Sequence, residues 1–287
     1  MDALLDHALL DHAIAHLRRT TTGALVPCKI CDAATALFDV VDFAKTCHPR
    51  LYPAGLATVP VYYRRCNACG FIFTDFFDDF APQQWGAHIY NDDYYSKVDP
   101  EYADQRPDDN ARVVDRLLAR HRRQTIGLDY GGGSGRTCRR LRELGYAFDT
   151  FDPFGERSLT PEYAGRYNFC TAFEVAEHTP DPRGFVQAIV DLASKERLAV
   201  LVGTQLHDGI VSEASRLSWW YAAPRNGHIS IYSRRSMAIL AKQFGLDYTR
   251  LSGRTHLLTR GWGPREAWWF LARGKIVARL GGLAKSH

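Results

Sequence analysis

Residues Thr125–Asp152 read TIGLDYGGGSGRTCRRLRELGYAFDTFD, and this stretch decides the fold. An apolar run ends in Asp129, a glycine-dense turn and a helical pattern follow, and a second apolar run closes on Asp152. In a doubly wound α/β sheet that order builds a nucleoside pocket at the carboxyl end of the first strand. Gly131, Gly133 and Gly135 let the backbone turn tightly and let a ligand approach where a Cβ would collide. Asp152 lies about twenty residues beyond the turn, where an acid can hold a ribose diol. A dinucleotide fingerprint would need glycine where Arg136 stands, and no G-K-[ST] follows to cradle a phosphate.

Outward from this stretch the pattern predicts strands at 125–130, 147–152, 168–173 and 198–203, with helices at 136–144 and 183–195. A helix near 233–244 and two final strands near 246–251 and 254–259 follow. Alternation of this kind predicts a mostly parallel sheet with helices on both faces. About fifteen residues separate Asp152 from the next strand, too few for a full crossover plus another strand, so that edge of the sheet is expected to be reduced. A charged helical stretch at 108–123 leads into this region.

Residues 2–19 carry Leu5, Leu9, Ala13 and Leu17 at helical spacing. His7, His12 and His16 share no single helical interval, and solvated edge positions are expected for them. From Val26 to about Tyr95 the chain turns to short strands, prolines and aromatics. The tail from Gly261 is basic and aromatic and reads as a terminal helix packed on the domain, a homodimer contact or a membrane-surface helix, with packing or dimerisation favoured.

Composition sets limits. Across 287 residues, 46% hydrophobic and 24% charged content is ample for one large α/β domain plus a smaller module. A net charge of +4 is too diffuse to argue for nucleic acid. No apolar run approaches a membrane span, and the acidic N-terminus is unlike a secretory signal. Seven cysteines in such a chain point to thiols or metal ligands, and a cytoplasmic location is expected.

Cys28-Lys-Ile-Cys31 and Cys66-Asn-Ala-Cys69 are two C-x-x-C knuckles flanking a long insert. Each supplies two thiolates from a tight turn, and four soft ligands suit a tetrahedral structural zinc. A redox role would instead need one such pair opening a helix in a thioredoxin-like unit.

The spacing D-x-G-x-G-x-G from Asp129 resembles the first motif of class I S-adenosylmethionine-dependent methyltransferases. Together with the two knuckles, Gly70 and Tyr90-Asn-Asp-Asp-Tyr94-Tyr95, the chain resembles bacterial sugar and metabolite methyltransferases with an N-terminal zinc-binding domain. It is expected to lack the further C-terminal domain of the sugar C-methyltransferases, which leaves a nucleotide-sugar substrate open. The resemblance implies a Rossmann-like fold and an organisation of N-terminal helix 1–24, zinc-binding module 25–95, methyltransferase domain 96–260 and tail 261–287. It implies S-adenosylmethionine as cofactor, with Asp129, Gly131, Gly133, Gly135, Asp152 and Glu174 binding it.

Downstream, Glu174-Val-Ala-Glu177-His178 resembles the E-V-x-E-H segment of ubiquinone-pathway and small-RNA 2′-O-methyltransferases. Asn226-Gly227-His228-Ile229 matches a later G-H-I segment. Glu174, Glu177 and His178 stand at i, i+3 and i+4, so one helical turn would align them. Two carboxylates and two imidazoles can hold Mg2+ or another divalent cation with positions left open. His178 or His228 can equally act as a metal-free base, with Glu177 beside it, near neutral pH. Trp219, Trp220, Tyr221 and Tyr232 are read either as aromatics over the pocket or as core.

The function expected is methyl transfer to a hydroxyl of a small-molecule or saccharide acceptor, in polysaccharide or secondary metabolism. An RNA methyltransferase gripping phosphates with Arg116–Arg123 and Arg136–Arg142, and a sugar-nucleotide C- or N-methyltransferase, stay open as alternatives.

Overall fold

The computed structural model describes residues 7–22, 25–48, 59–102, 105–153, 155 and 161–263. In chain order the elements are α1 (His7–Thr21), β1 (Thr35–Asp42), β2 (Pro60–Cys66), β3 (Ile72–Phe73), α2 (Pro82–His88) and α3 (Gln105–Leu118). Then come β4 (Ile126–Tyr130), α4 (Arg136–Glu143), β5 (Ala147–Phe151), β6 (Phe169–Phe173), α5 (Pro182–Leu192) and β7 (Leu198–Gly203). The last are β8 (Ser230–Ile231), α6 (Arg234–Gln243), β9 (Asp247–Arg250) and β10 (Thr255–Arg260).

These elements form two compact units. One comprises Met1–Pro100, Glu177–Pro182 and Leu206–Ile239; the other comprises Glu101–Ala176, Arg183–Gln205 and Leu240–His287. The units therefore do not follow the linear order of the chain.

The second unit holds a six-stranded sheet in the order β5-β4-β6-β7-β10-β9. The first four strands are parallel, while β10 runs antiparallel to both β7 and β9. Every residue of β7, Leu-Ala-Val-Leu-Val-Gly, is buried, as a strand covered on both faces requires. Among the described residues β5 is one of the two edge strands, on the side where the short β5–β6 connection predicts a reduced edge. Each strand and helix of this sheet lies within a few residues of its expected position.

The first unit is built on an antiparallel sheet in the order β1-β2-β3-β8. Its core is aromatic. Phe77 stacks on Trp85 with ring centroids 5.3 Å apart, Phe76 meets Phe77 edge-on at 4.9 Å, and Tyr63, Ile72 and Ile231 are fully buried. β8 is only two residues long, yet it pairs Ile231 with Ile72 and Ser230 with Phe73 and so returns a late segment to an early sheet.

The structure corrects the reading of two α1 histidines. His16 is fully buried and its Nε2 lies 2.9 Å from Asp75 Oδ1, while His12 Nε2 donates to the Phe76 carbonyl. The 3.6-residue period brings positions 12 and 16 to one face, and that face covers Phe76. The expected bridging helix begins and ends earlier than 108–123, at Gln105–Leu118. The start of the first helix before His7 and the tail beyond residue 263 lie outside the described residues. No helix among those described is long and apolar enough to cross a membrane.

Phe77 sits at the centre of the aromatic core, so Phe77→Ala is expected to cost about 3–5 kcal/mol through lost burial and a residual cavity. Urea denaturation measures this; a loss below about 1 kcal/mol would contradict the central placement.

Candidate functional site

In the second unit, β4 ends at Tyr130 and the chain enters the glycine turn. Gly131 takes a φ of 72°, and a Cβ there would stand 2.4 Å from Val175 Cγ2. At Gly132, which the sequence reading passed over, a Cβ would stand 2.3 Å from Thr150 Oγ1 and 2.6 Å from Asp129 Oδ2. Gly135, at φ 73°, is the residue that opens α4. The turn is pinned by Gly131 N–H donating to the Phe151 carbonyl at 2.7 Å and by Gly133 N–H donating to Asp152 Oδ2 at 2.8 Å. Asp152 thus shapes the loop from the carboxyl end of β5.

A cleft opens above the turn, lined among others by Arg106, Asn110, Asp129, Gly131, Ser134 and Glu174. Arg106 pairs with Glu174 at 3.5 Å. No spacing rule links Arg106 or Asn110 to a loop some twenty-five residues later, so the sequence carried no signal for either. Asp129 forms the floor. It is 3% exposed and its Oδ1 accepts a 2.6 Å hydrogen bond from Thr171 Oγ1. Burial, countered by that hydroxyl and reinforced by the nearby Asp152 charge, pushes the Asp129 carboxyl up to about 6.

Glu177 and His178, of the first unit, lie in a single 3₁₀ turn that begins at Ala176. Glu177, His178 and His228 have ligand atoms all within 4.8 Å of one another. Two hydrogen bonds set this geometry: Ile229 N–H donates to the Glu177 carbonyl at 2.9 Å, and the Ser230 hydroxyl donates to the Thr179 carbonyl at 2.7 Å. Gly227, at φ 80°, passes so close that a Cβ would stand 3.0 Å from His178 Nδ1. Glu177 is fully buried and its Oε1 accepts a short hydrogen bond from the Tyr221 hydroxyl. His228 Nδ1 donates to the Tyr221 carbonyl at 2.7 Å, and Tyr63 OH donates to the His228 carbonyl at 2.8 Å.

The alignment of Glu174 with Glu177 and His178 on one helical turn is not observed. Glu174 takes a left-handed φ of 54°, the turn starts at Ala176, and Glu174 instead lines the second unit's cleft. Trp219, Tyr221 and Tyr232 are buried, whereas Trp220 is 40% exposed.

The four cysteines also converge in the first unit, with sulfurs within 4.8 Å of one another. Cys28 and Cys69 sulfurs are 3.6 Å apart and Cys31 and Cys66 sulfurs 3.5 Å apart. Tetrahedral thiolates about 2.3 Å from a zinc would stand about 3.8 Å apart, so the donor set fits that ion. The Ile30 and Cys69 amides each point at a sulfur at 3.4 Å. The contact with Cys69, opposed by burial and supported by amides, draws the Cys28 thiol down, and the same contact pushes Cys69 up. Ser233 Oγ donates to the Cys69 carbonyl at 2.6 Å, and His207 Nε2 donates to the Gly70 carbonyl at 2.7 Å.

A family model described as a methyltransferase domain matches residues 102–251, just over half of the chain. No curated protein matches. Among solved structures, the chain is similar to a 1,6-didemethyltoxoflavin-N1-methyltransferase from Burkholderia thailandensis at 16% identity and a TM-score of 0.40, covering 69% of this chain and 93% of that one. An O-methyltransferase family protein from the same organism gives 18% identity and a TM-score of 0.43, covering 64% of each chain. Magnesium protoporphyrin IX methyltransferase from Synechocystis PCC 6803 gives 12% and 0.37, covering 53% and 82%. At these scores the likeness assigns no residue and no substrate to this chain.

Because Asp129 carries a raised pKa in the fold, its contribution to stability is fully present below about pH 4 and is lost as pH rises through about 6. Asp129→Asn is therefore expected to gain on the order of 1–3 kcal/mol relative to the parent between pH 4 and pH 7.5. Chemical denaturation at the two pH values reads it; an unchanged difference would place the ionisation elsewhere.

Proposed function

The chain belongs to the methyltransferase-domain family, and on that premise we propose that it transfers a methyl group from S-adenosylmethionine to a hydroxyl of a small-molecule or saccharide acceptor. The observation that carries the reading is the bare-backbone turn at Gly131–Gly135 with the Asp152 carboxylate fixed beside it. A ribose diol needs a carboxylate acceptor there, and a sulfonium nucleoside needs no phosphate cradle. Gly131, Gly133, Gly135, Asp129, Asp152 and Glu174 are the residues assigned to this cofactor.

The sulfonium is already an activated donor, so the protein has two tasks: to orient donor and acceptor in line, and to take a proton from the acceptor. Glu177, His178 and His228 are assigned to the second task. Their chemistry, two imidazoles and one carboxylate, suits a divalent cation that accepts nitrogen ligands, such as Mn2+, better than Mg2+, with positions left open. Such an ion would lower the pKa of a hydroxyl bound to it, and neighbouring hydroxyls on one acceptor could share it. Without the ion, we assign the base to His178 ahead of His228, because His178 is half-buried where Glu177 and His228 are buried. In either case the Tyr221 carbonyl fixes His228 as the Nδ1–H tautomer.

The arginines favour a small acceptor over RNA. Arg122 pairs with Asp115, Arg136 and Arg140 with Asp108, and Arg142 with Asp149, all within the second unit. A phosphate would have to compete with each carboxylate. Cys28, Cys31, Cys66 and Cys69 are assigned to a structural zinc that holds the first unit's knuckles together.

S-Adenosylhomocysteine is expected to raise the melting temperature, and Asp152→Ala to weaken its binding by about 10- to 100-fold through loss of a carboxylate hydrogen-bond pair. No shift with the unaltered protein would remove the cofactor assignment. Elemental analysis is expected to find about one tightly held zinc per chain, lost in Cys66→Ser. With that zinc in place, removing exchangeable divalent ions is expected to abolish turnover and Mg2+ or Mn2+ to restore it. Full turnover without them would leave His178 as a metal-free base.

A further inference from the structure

We propose that Tyr221 is the positioning residue of the Glu177–His178–His228 group, fixing two of its three members at once through two different atoms. The inference rests on the reading of that group as a divalent-cation site. The phenol hydroxyl donates to Glu177 Oε1, while the backbone carbonyl of the same residue accepts from His228 Nδ1 at 2.7 Å. The Tyr221 ring lies 4.3 Å from the His228 ring, centroid to centroid, and packs at 5.1 Å against Trp219.

Each contact has a distinct chemical consequence. Glu177 is fully buried, and a buried carboxylate needs donors to replace its lost water. The phenol supplies such a donor and sets the plane of the carboxylate. On His228, donation from Nδ1 leaves the lone pair on Nε2, the atom a cation would need. Tyr221 is itself anchored: it is 1% exposed, and Lys45 Nζ donates to the carbonyls of Leu217 at 2.6 Å and Trp219 at 2.9 Å in the run leading up to it. The side chain, the carbonyl and the segment that carries them are thus held as one piece.

Tyr221→Phe removes the hydroxyl and keeps both the ring and the carbonyl. Mn2+ is the probe, because it prefers oxygen and nitrogen ligands to the thiolates of the cysteine cluster. Titration of the full-length, zinc-loaded protein, with free Mn2+ read by electron paramagnetic resonance, is expected to show one site weakened at least tenfold in Tyr221→Phe. Affinity for S-adenosylhomocysteine and zinc content should stay within twofold of the parent. Glu177→Gln should lose Mn2+ binding, and adding Tyr221→Phe to it should change nothing further. If the unaltered protein binds S-adenosylhomocysteine but no Mn2+, the cation reading falls and this proposal with it. If Mn2+ binds with the same affinity in Tyr221→Phe, the proposal alone is overturned. It is also overturned if the variant loses zinc or S-adenosylhomocysteine binding, since Tyr221 would then be a general support.

Discussion

Two residue pairings, Ile231 with Ile72 and Ser230 with Phe73, hold together the chemistry of the first unit. They bring residues 206–239 back to a sheet begun nearly two hundred positions earlier, so they close a very long loop. Loop entropy grows slowly with length, and the buried side chains of Ile229, Ile231 and Tyr221 in the aromatic core offset it. Once β8 is in place, the Ile229 amide meets the Glu177 carbonyl and His228 comes within reach of Glu177 and His178. Ser233 and His207 tie the same segment to the carbonyls behind the second cysteine knuckle. The cysteine cluster and the polar group are therefore two ends of one packed assembly.

The second unit solves a different problem, a tight passage of backbone between β4 and α4. Its turn is crowded from below by Val175, Thr150 and Asp129, which is why side chains are excluded there. Asp129 lies beneath this turn, where it floors the cleft and accepts from Thr171. Asp152 acts differently, receiving a loop amide at the end of β5. The two acids, twenty-three positions apart in the sequence, thus have separate duties set by burial.

Charge is arranged so that little of it is loose near the start of α4. Asp108 receives both Arg136 and Arg140, and these two guanidinium groups hold its carboxyl well below the ordinary range. The pairing joins α3 to α4, so the arginine-rich look of this stretch reflects helix docking. Exposed pairs of this kind contribute little singly, and their value here is orientation.

Much of the second unit was legible in the sequence because its signals are local: apolar runs for strands, glycines for the turn, and a connection too short for another strand. The two C-x-x-C knuckles were legible for the same reason, and so were Glu177, His178 and His228 as residues of a reactive type. Arg106 and Tyr221 were not, since each gains its role from a partner that no spacing announces. Helical spacing misplaced Glu174, because a left-handed φ ends the alignment before the turn begins. His16 looked solvated until a neighbouring strand and Asp75 covered it. By itself the sequence determined the elements of the second unit's sheet, the glycine turn and the family, all of which depend on neighbours within a few tens of residues. Tertiary structure alone decided that residues 206–239 belong with the N-terminal unit, because burial of their aromatic side chains and pairing of β8 outweigh chain order.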